Sequence, residues 1–184
     1  MITLGANQNK LIPLVIDGES ERVDVVLAGE NARVEIVGLA IGKGDENRSL
    51  ELFVTHAAPR TKSEVKVRSV LRDRSTFAFR GNVKIEKGAK GADAYLRSDA
   101  LLFDDAKMGD DTPALEILEP DVKAGHAATI GKVDEQMLFY LMSRGLSRKG
   151  AEKMLIEGFV EPILNKIRNL QSKPELREKM VTRK

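Results

Sequence analysis

Few side chains in this 184-residue sequence are of a type that binds a metal or moves a proton. The candidates are two histidines, His56 and His126, and an acidic cluster of Asp104, Asp105, Asp110 and Asp111 around Gly109. Neutral imidazole is a ligand for iron or zinc. One imidazole is not a site, so His126 needs Glu, Asp or a partner subunit to complete a metal shell. Otherwise it is a hydrogen-bonding residue where strand-like sequence gives way to helix-like sequence. His56 ends an apolar strand face and reads as a satisfied structural histidine, and a two-histidine site requires the fold to bring it to His126. The aspartates are hard oxygen donors, but their spacing is not that of a calcium loop, and a solvated turn accounts for them. The stretch Gly88-Ala89-Lys90-Gly91-Ala92 is too short for a phosphate-binding loop and lacks its Lys-Ser/Thr ending, so it reads as a turn. There is no cysteine, which excludes disulfides, thiolate-held clusters and a thiol nucleophile.

Most of the chain that must position these residues reads as β-structure. Leu11–Ile16 is an apolar run ending at Asp17-Gly18, and Arg22–Val25, Arg33–Ile36, Leu50–His56, Val65–Leu71, Phe77–Ile85 and Tyr95–Phe103 continue a series of short strands between turn signals. The recurring Arg-Val-acid-Val/Ile unit and the glycines at 81, 88, 91 and 109 favour a β-solenoid over a sandwich, although no single period covers the whole region. Helices begin after Asp134, which can cap the first. Met137, Leu138, Leu141 and Met142 form its apolar stripe, and Gly145 stands at the left-handed position that ends it. Ser147 caps a second helix whose predicted buried stripe is Ala151, Met154, Leu155 and Phe159, with Leu146 stapled onto Ala151. Pro162 predicts a kink or break before a third stripe of Ile163, Leu164, Ile167 and Leu170. Phe139 and Tyr140 point about 100° apart on a helix, so one is expected in the core and the other at an interface. The expected divisions are a β-body over 1–123, a helical subdomain over 124–171 and a charged, frayed tail over 172–184.

Net charge is +2, but residues 165–184 carry seven basic and two acidic side chains, which leaves the body slightly acidic. That excludes a broad nucleic-acid-binding face. No signal peptide and no run of about 20 apolar residues is present, so a cytoplasmic protein with no membrane association is expected.

The central stretch resembles the SufB/SufD family, scaffold proteins of the Suf iron–sulfur cluster assembly machinery. The likeness rests on Leu101-Leu102, Thr112-Pro113, Leu115-Glu116-Ile117, Asp121-Val122-Lys123, Gly125-His126-Ala127-Ala128-Thr129, Gly131, Asp134-Glu135, Leu138-Phe139-Tyr140-Leu141, Ser143-Arg144-Gly145, Ala151 and Gly158-Phe159. Upstream, His56, Ala58-Pro59, Thr61-Lys62-Ser63 and Phe79-Arg80-Gly81 extend it. The resemblance implies a right-handed parallel β-helix with a small C-terminal helical subdomain. It implies pairing through the β-helix end, as a homodimer or as a heterodimer with a SufB-like protein. It also implies docking of an ABC-type ATPase on the C-terminal helices, with Leu138, Phe139, Tyr140, Arg144, Gly145 and Phe159 as partner-binding residues. The N-terminal helical region of longer members has no counterpart in the match. Lys107 stands nearest the place of the SufB-type functional cysteine, Ala124 replaces a cysteine common in relatives, and Ala127 replaces the SufB-type glutamate after His126. The pattern is SufD-like, and any iron or cluster would be shared with a partner, since no cysteine ligand is available.

The expected function is a non-enzymatic assembly scaffold. Beside it stand a nucleic-acid binder using the basic tail, whose salt-dependent binding would vanish on deletion of Lys173 to Lys184, and two further alternatives. One is a carbohydrate- or acyl-transfer enzyme on a β-solenoid, which lacks both a hexapeptide period and an obvious paired-carboxylate cleft. The other is a degenerate paralogue with a structural or interaction role.

Overall fold

The computed structural model describes residues 1–171, with side chains through 167. The expected frayed tail over 172–184 lies outside the described residues. The chain divides into two units, Met1–Lys132 and Val133–Lys184.

The first unit is a parallel β-solenoid. Its strands are β1 (Ile2–Leu4), β2 (Asn9–Ile16), β3 (Ser20–Leu27), β4 (Arg33–Gly42), β5 (Asn47–His56), β6 (Lys62–Leu71), β7 (Thr76–Ile85), β8 (Asp93–Leu102), β9 (Lys107–Ile117) and β10 (Lys123–Lys132). Odd strands form one sheet in the order β1-β3-β5-β7-β9, and even strands the other, β10-β8-β6-β4-β2. Arg33 pairs with Lys62 and Lys62 with Asp93. Stacked residues stand 23 or 24 apart between the first strands and 29 to 32 apart after them, as in Gly44–Asp73 and Lys62–Asp93. In-register parallel strands put partners on the same face, so alternation within one strand becomes an apolar column through the solenoid. Ile12, Ile36, Val65 and Leu96 form one such column.

Both corners are held by repeated backbone devices. At one, Asn7, Asn31 and Arg60 adopt left-handed φ of 59°, 59° and 55°. The N–H groups of Asn7, Asn31, Arg60 and Gly91 each donate to a carbonyl of the next coil, at 2.7–3.2 Å. At the other corner, Gly44, Asp73 and Asp104 take left-handed φ. There the Asp73 carboxylate accepts from the Gly44 N–H at 2.7 Å, and Asp104 from the Asp73 N–H at 3.1 Å. Asn and Asp tolerate this conformation because their short polar side chains bond locally. Asp134 stands one coil length after Asp104 in the sequence. Its carboxylate instead accepts from the N–H groups of Gln136 and Met137, capping a helix. The solenoid register ends where this aspartate changes partners.

The division falls after Lys132, not after Lys123. The Gly- and Ala-rich run 123–132 has no helical period, and all ten of its residues pair with β8.

The second unit holds α1 (Glu135–Ser143) and α2 (Arg148–Gln171). Arg148 ties them, donating to Glu135 at 2.8 and 3.1 Å and to Glu152 at 3.1 Å. Gly145, at φ +97°, ends α1 in a Schellman arrangement. Its N–H reaches the Met142 carbonyl at 2.9 Å and the Leu146 N–H reaches that of Leu141 at 3.4 Å. Gly145→Val should cost about 1–2 kcal/mol, because a β-branched residue is strained there. Hydrogen exchange should show loss of protection in α1 and α2 with β4–β8 unchanged. Equal loss in the solenoid would contradict this.

Three expectations for the helices are corrected. Pro162 lies inside α2 and does not break it. Pro162 and Gly158 are both exposed, so the carbonyl left without an N–H donor faces water rather than protein. In α1 the buried residue is Leu138, whereas Met137 and Met142 are exposed. In α2, Ala151, Val160, Ile163 and Ile167 are buried, and Met154 is exposed. Third, neither Phe139 nor Tyr140 is core: they are 73% and 53% exposed.

Candidate functional site

The residues singled out by their chemistry fall in three separate places. His126 lies within β10, opposite Leu96 of β8, and not at the strand-to-helix junction. Leu96 is a core residue, so His126 belongs to the inward-facing column. It is nevertheless exposed, because β10 is the last strand of its sheet. In the other sheet β9 is last, and its Ile117 stacks on Ile85. Ile117, Leu118 and Ile130 are each about half exposed, at 45%, 52% and 51%. The end of the solenoid therefore presents apolar interior positions and two strand edges to which no further strand is paired among the described residues. Such edges are templates for pairing. At the opposite end the edge strand β2 carries Pro13, which has no N–H to offer, and the exposed Lys10. At the last end β10 contains no proline, whereas β9 carries Pro113, and both strands carry lysine.

The acidic cluster is dispersed by the fold. Asp104 serves the corner ladder. Asp110 accepts from Thr112 at 2.5 Å and pairs with Arg80 at 3.7 Å. A one-residue bulge in β9, between the pairs Phe77–Met108 and Phe79–Asp111, turns Asp111 into the inward column. Among the described residues no group of three His, Cys, Asp or Glu can hold a metal ion. His126 could at most supply one ligand to a shell completed elsewhere.

His56 is at the inner end of β5 and fully buried, at 0% exposure. Its Nδ1 lies 2.8 Å from the Thr61 hydroxyl and its Nε2 2.8 Å from the Ser63 hydroxyl. The Thr61 hydroxyl donates to the Ala58 carbonyl at 3.0 Å, so it accepts from an Nδ1–H, and Nε2 accepts from Ser63. Both ring nitrogens are thus occupied. Burial pushes the imidazole down to about 4, with Asp93 acting weakly in the opposite direction. His56 is a structural histidine and no ligand alongside His126. The expectation of a satisfied strand-end residue holds; its hydroxyl partners, five and seven residues on, lie around a corner that strand periodicity does not reveal.

The helices carry the third feature. Met137, Phe139, Tyr140, Met142 and Met154 are exposed apolar side chains of the helical unit. Arg144 stacks over the Tyr140 ring, its guanidinium carbon 5.3 Å from the centroid. Phe159 is half-buried. Of the other residues expected to bind a partner, Leu138 is buried and Gly145 forms the helix stop.

An open groove at the β2–β3 and β4–β5 turns is lined by Asp17, Glu19, Asp45, Glu46 and Arg48, among others. Asp45 is gripped by Arg74 at 2.6 and 2.7 Å, and Glu46 by Arg48 at 3.1 Å. Two of its four carboxylates are thereby committed to structural ion pairs.

Residues 19–159 match the family described as SUF system FeS cluster assembly, SufBD core domain. A protein of Mycobacterium tuberculosis named as an iron–sulfur cluster assembly SufBD family protein is 40% identical over 133 residues, covering 72% of this chain and 16% of that protein. The iron–sulfur cluster assembly protein SufD of Bacillus subtilis is 36% identical over 129 residues, covering 70% of this chain and 30% of that protein. SufB of the same organism is 34% identical over 126 residues, covering 68% and 27%. The chain thus spans less than a third of the length of these relatives.

Proposed function

Because the chain belongs to the SufBD core-domain family, we propose that it is a non-enzymatic scaffold in iron–sulfur cluster assembly, docking an ABC-type ATPase through its helices and pairing through the solenoid end. The family match carries this reading. The relatives are named as SufB and SufD assembly proteins, and the likeness runs through both the solenoid and the helices. Pairing is supported by the last coil, which leaves Ile117, Leu118 and Ile130 exposed beside two strand edges. A two-fold partner closes such an edge and stops further growth. Docking is supported by the exposed aromatic and methionine side chains of the helices.

His126 would face the partner across the paired end. An iron or cluster there is cargo handled by the assembly, and this chain's own residues do not complete a shell for it. A cytoplasmic setting fits an assembly factor of this kind; no helix among the described residues is long and apolar enough to cross a membrane. Light scattering at tens of micromolar should give a dimer mass, either of the chain alone or after mixing with a SufB-like protein. Monomer mass in both cases would contradict pairing.

A further inference from the structure

Asp111 is the one carboxylate among the described residues with both oxygens out of water. The β9 bulge aims it inward, where it stacks on Phe79, a fully buried core residue. Without the extra residue Asp110 would take that place. One donor acts on it from within the chain. The Ser98 hydroxyl of β8 favours the charged form without reaching full hydrogen-bond geometry, and burial outweighs it.

No cation offsets that burial. On β9 itself the neighbouring Asp110 adds like charge, and so does Asp99 of β8. Arg80, beside Phe79 on β7, is engaged by Glu51 and Asp110. Arg68 and Arg97 are engaged by Asp99. His126 and Lys132 of β10 are exposed and give Asp111 no hydrogen bond. An enclosed carboxyl in such surroundings is penalised when ionised, so Asp111 holds its proton above the usual carboxylate range. The strand that carries it is held on one side only. β9 is last in its sheet and pairs with β7 alone, and the bulge interrupts that ladder beside Asp111. Detaching the middle of β9 therefore breaks one ladder and returns the carboxyl to water.

We propose that Asp111 is a proton switch built into the fold: β9 lies closed on the core while the acid is neutral and opens around the bulge once it ionises. In the open strand the proton leaves near the ordinary value of 3.8, and in the closed strand it is kept to higher pH. Between the two values opening releases a proton, so opening becomes easier as the pH rises. Below that window both forms are neutral and above it both are charged, and opening no longer depends on pH. The direction is opposite to that of a carboxylate held in an ion pair, and the device needs no second copy.

Hydrogen exchange of the intact chain, corrected for the intrinsic rate, tests this in the parent and in Asp111→Asn, which stands in for the neutral acid. The ratio of parent to variant opening over residues 107–114 should rise at least about threefold between pH 4 and 7 and stay constant over β3–β6. Titration of His56 is common to both proteins and cancels in the ratio. A constant ratio in β9, or an equal rise over β3–β6, overturns the proposal. If Asp111→Asn does not fold, carbon-13 titration of the Asp111 carboxyl in the parent decides. A midpoint above 3.8 supports the switch, and one at or below 3.8 overturns it.

Discussion

Lowering the pH from 6.5 to 4 should destabilise the solenoid by about 3 kcal/mol through His56 alone. Its imidazole titrates near 6.5 in the unfolded chain and is pushed down to about 4 in the native one, chiefly by burial. Within that window the unfolded chain holds a proton that the native chain does not, so stability falls as pH falls. The loss is absent above 6.5, where both forms are neutral, and is complete below 4, where both are charged. A tenfold difference in proton affinity between the two states is worth about 1.4 kcal/mol, which gives the figure for the whole window. The geometry makes the cost local. His56 ends β5, and Thr61 and Ser63 belong to the corner and strand that follow, so the three side chains pin one coil to itself. Denaturant midpoints measured every half pH unit for the parent and for His56→Gln check this. The parent should lose stability faster than the variant as the pH falls through this window, and the two should run parallel above it. Parallel curves throughout would show that the imidazole is not held neutral.

The second large effect separates two neighbouring residues of α1. Leu138 is fully buried and Phe139 is 73% exposed. Leu138→Ala should cost about 2–5 kcal/mol, the transfer and cavity loss of a buried leucine. Phe139→Ala should change stability by no more than about 0.5 kcal/mol, as exposed substitutions do. The proposed docking surface reverses the order for ATPase binding. Loss of an exposed aromatic anchor should weaken it at least tenfold, about 1.4 kcal/mol. Tyr140→Ala should behave like Phe139→Ala, since Tyr140 is also exposed and Arg144 braces its ring. Thermal melts and a binding titration on the three variants check this. A folded Phe139→Ala and a folded Tyr140→Ala that both bind like the parent would remove the helices from the docking surface.

Strand character was legible where the inward residues alternate: the buried Leu50, Leu52 and Val54 of β5 show it in the sequence itself. The coil length was not. The repeat runs from 23 or 24 residues in the first coil to 29 to 32 after it, and its columns mix Ile, Val, Gly and Ser, so only size and burial recur. The strand β10 was hidden for a related reason. At an open end the inward column need not be apolar, and Ala124, His126, Ala128, Ile130 and Lys132 show no clean alternation. The helix stop at Gly145 and the cap at Asp134 were legible because each depends on one residue's local geometry. The exposure of both Phe139 and Tyr140 was not, because the helix period fixes the angle between two side chains but not which direction faces the core. Leu138, the residue just before them, took the buried place. Asp111 was hidden because the bulge that turns it inward leaves no mark in the alternation of β9.

On the proposed reading, the helices of this chain dock an ABC-type ATPase of iron–sulfur assembly. Calorimetric titration of the intact chain against that ATPase, with and without ATP, tests it most directly. Saturable binding at micromolar concentration, weakened at least tenfold in Phe139→Ala, is the predicted result. Absence of binding by the folded parent under both conditions would contradict it.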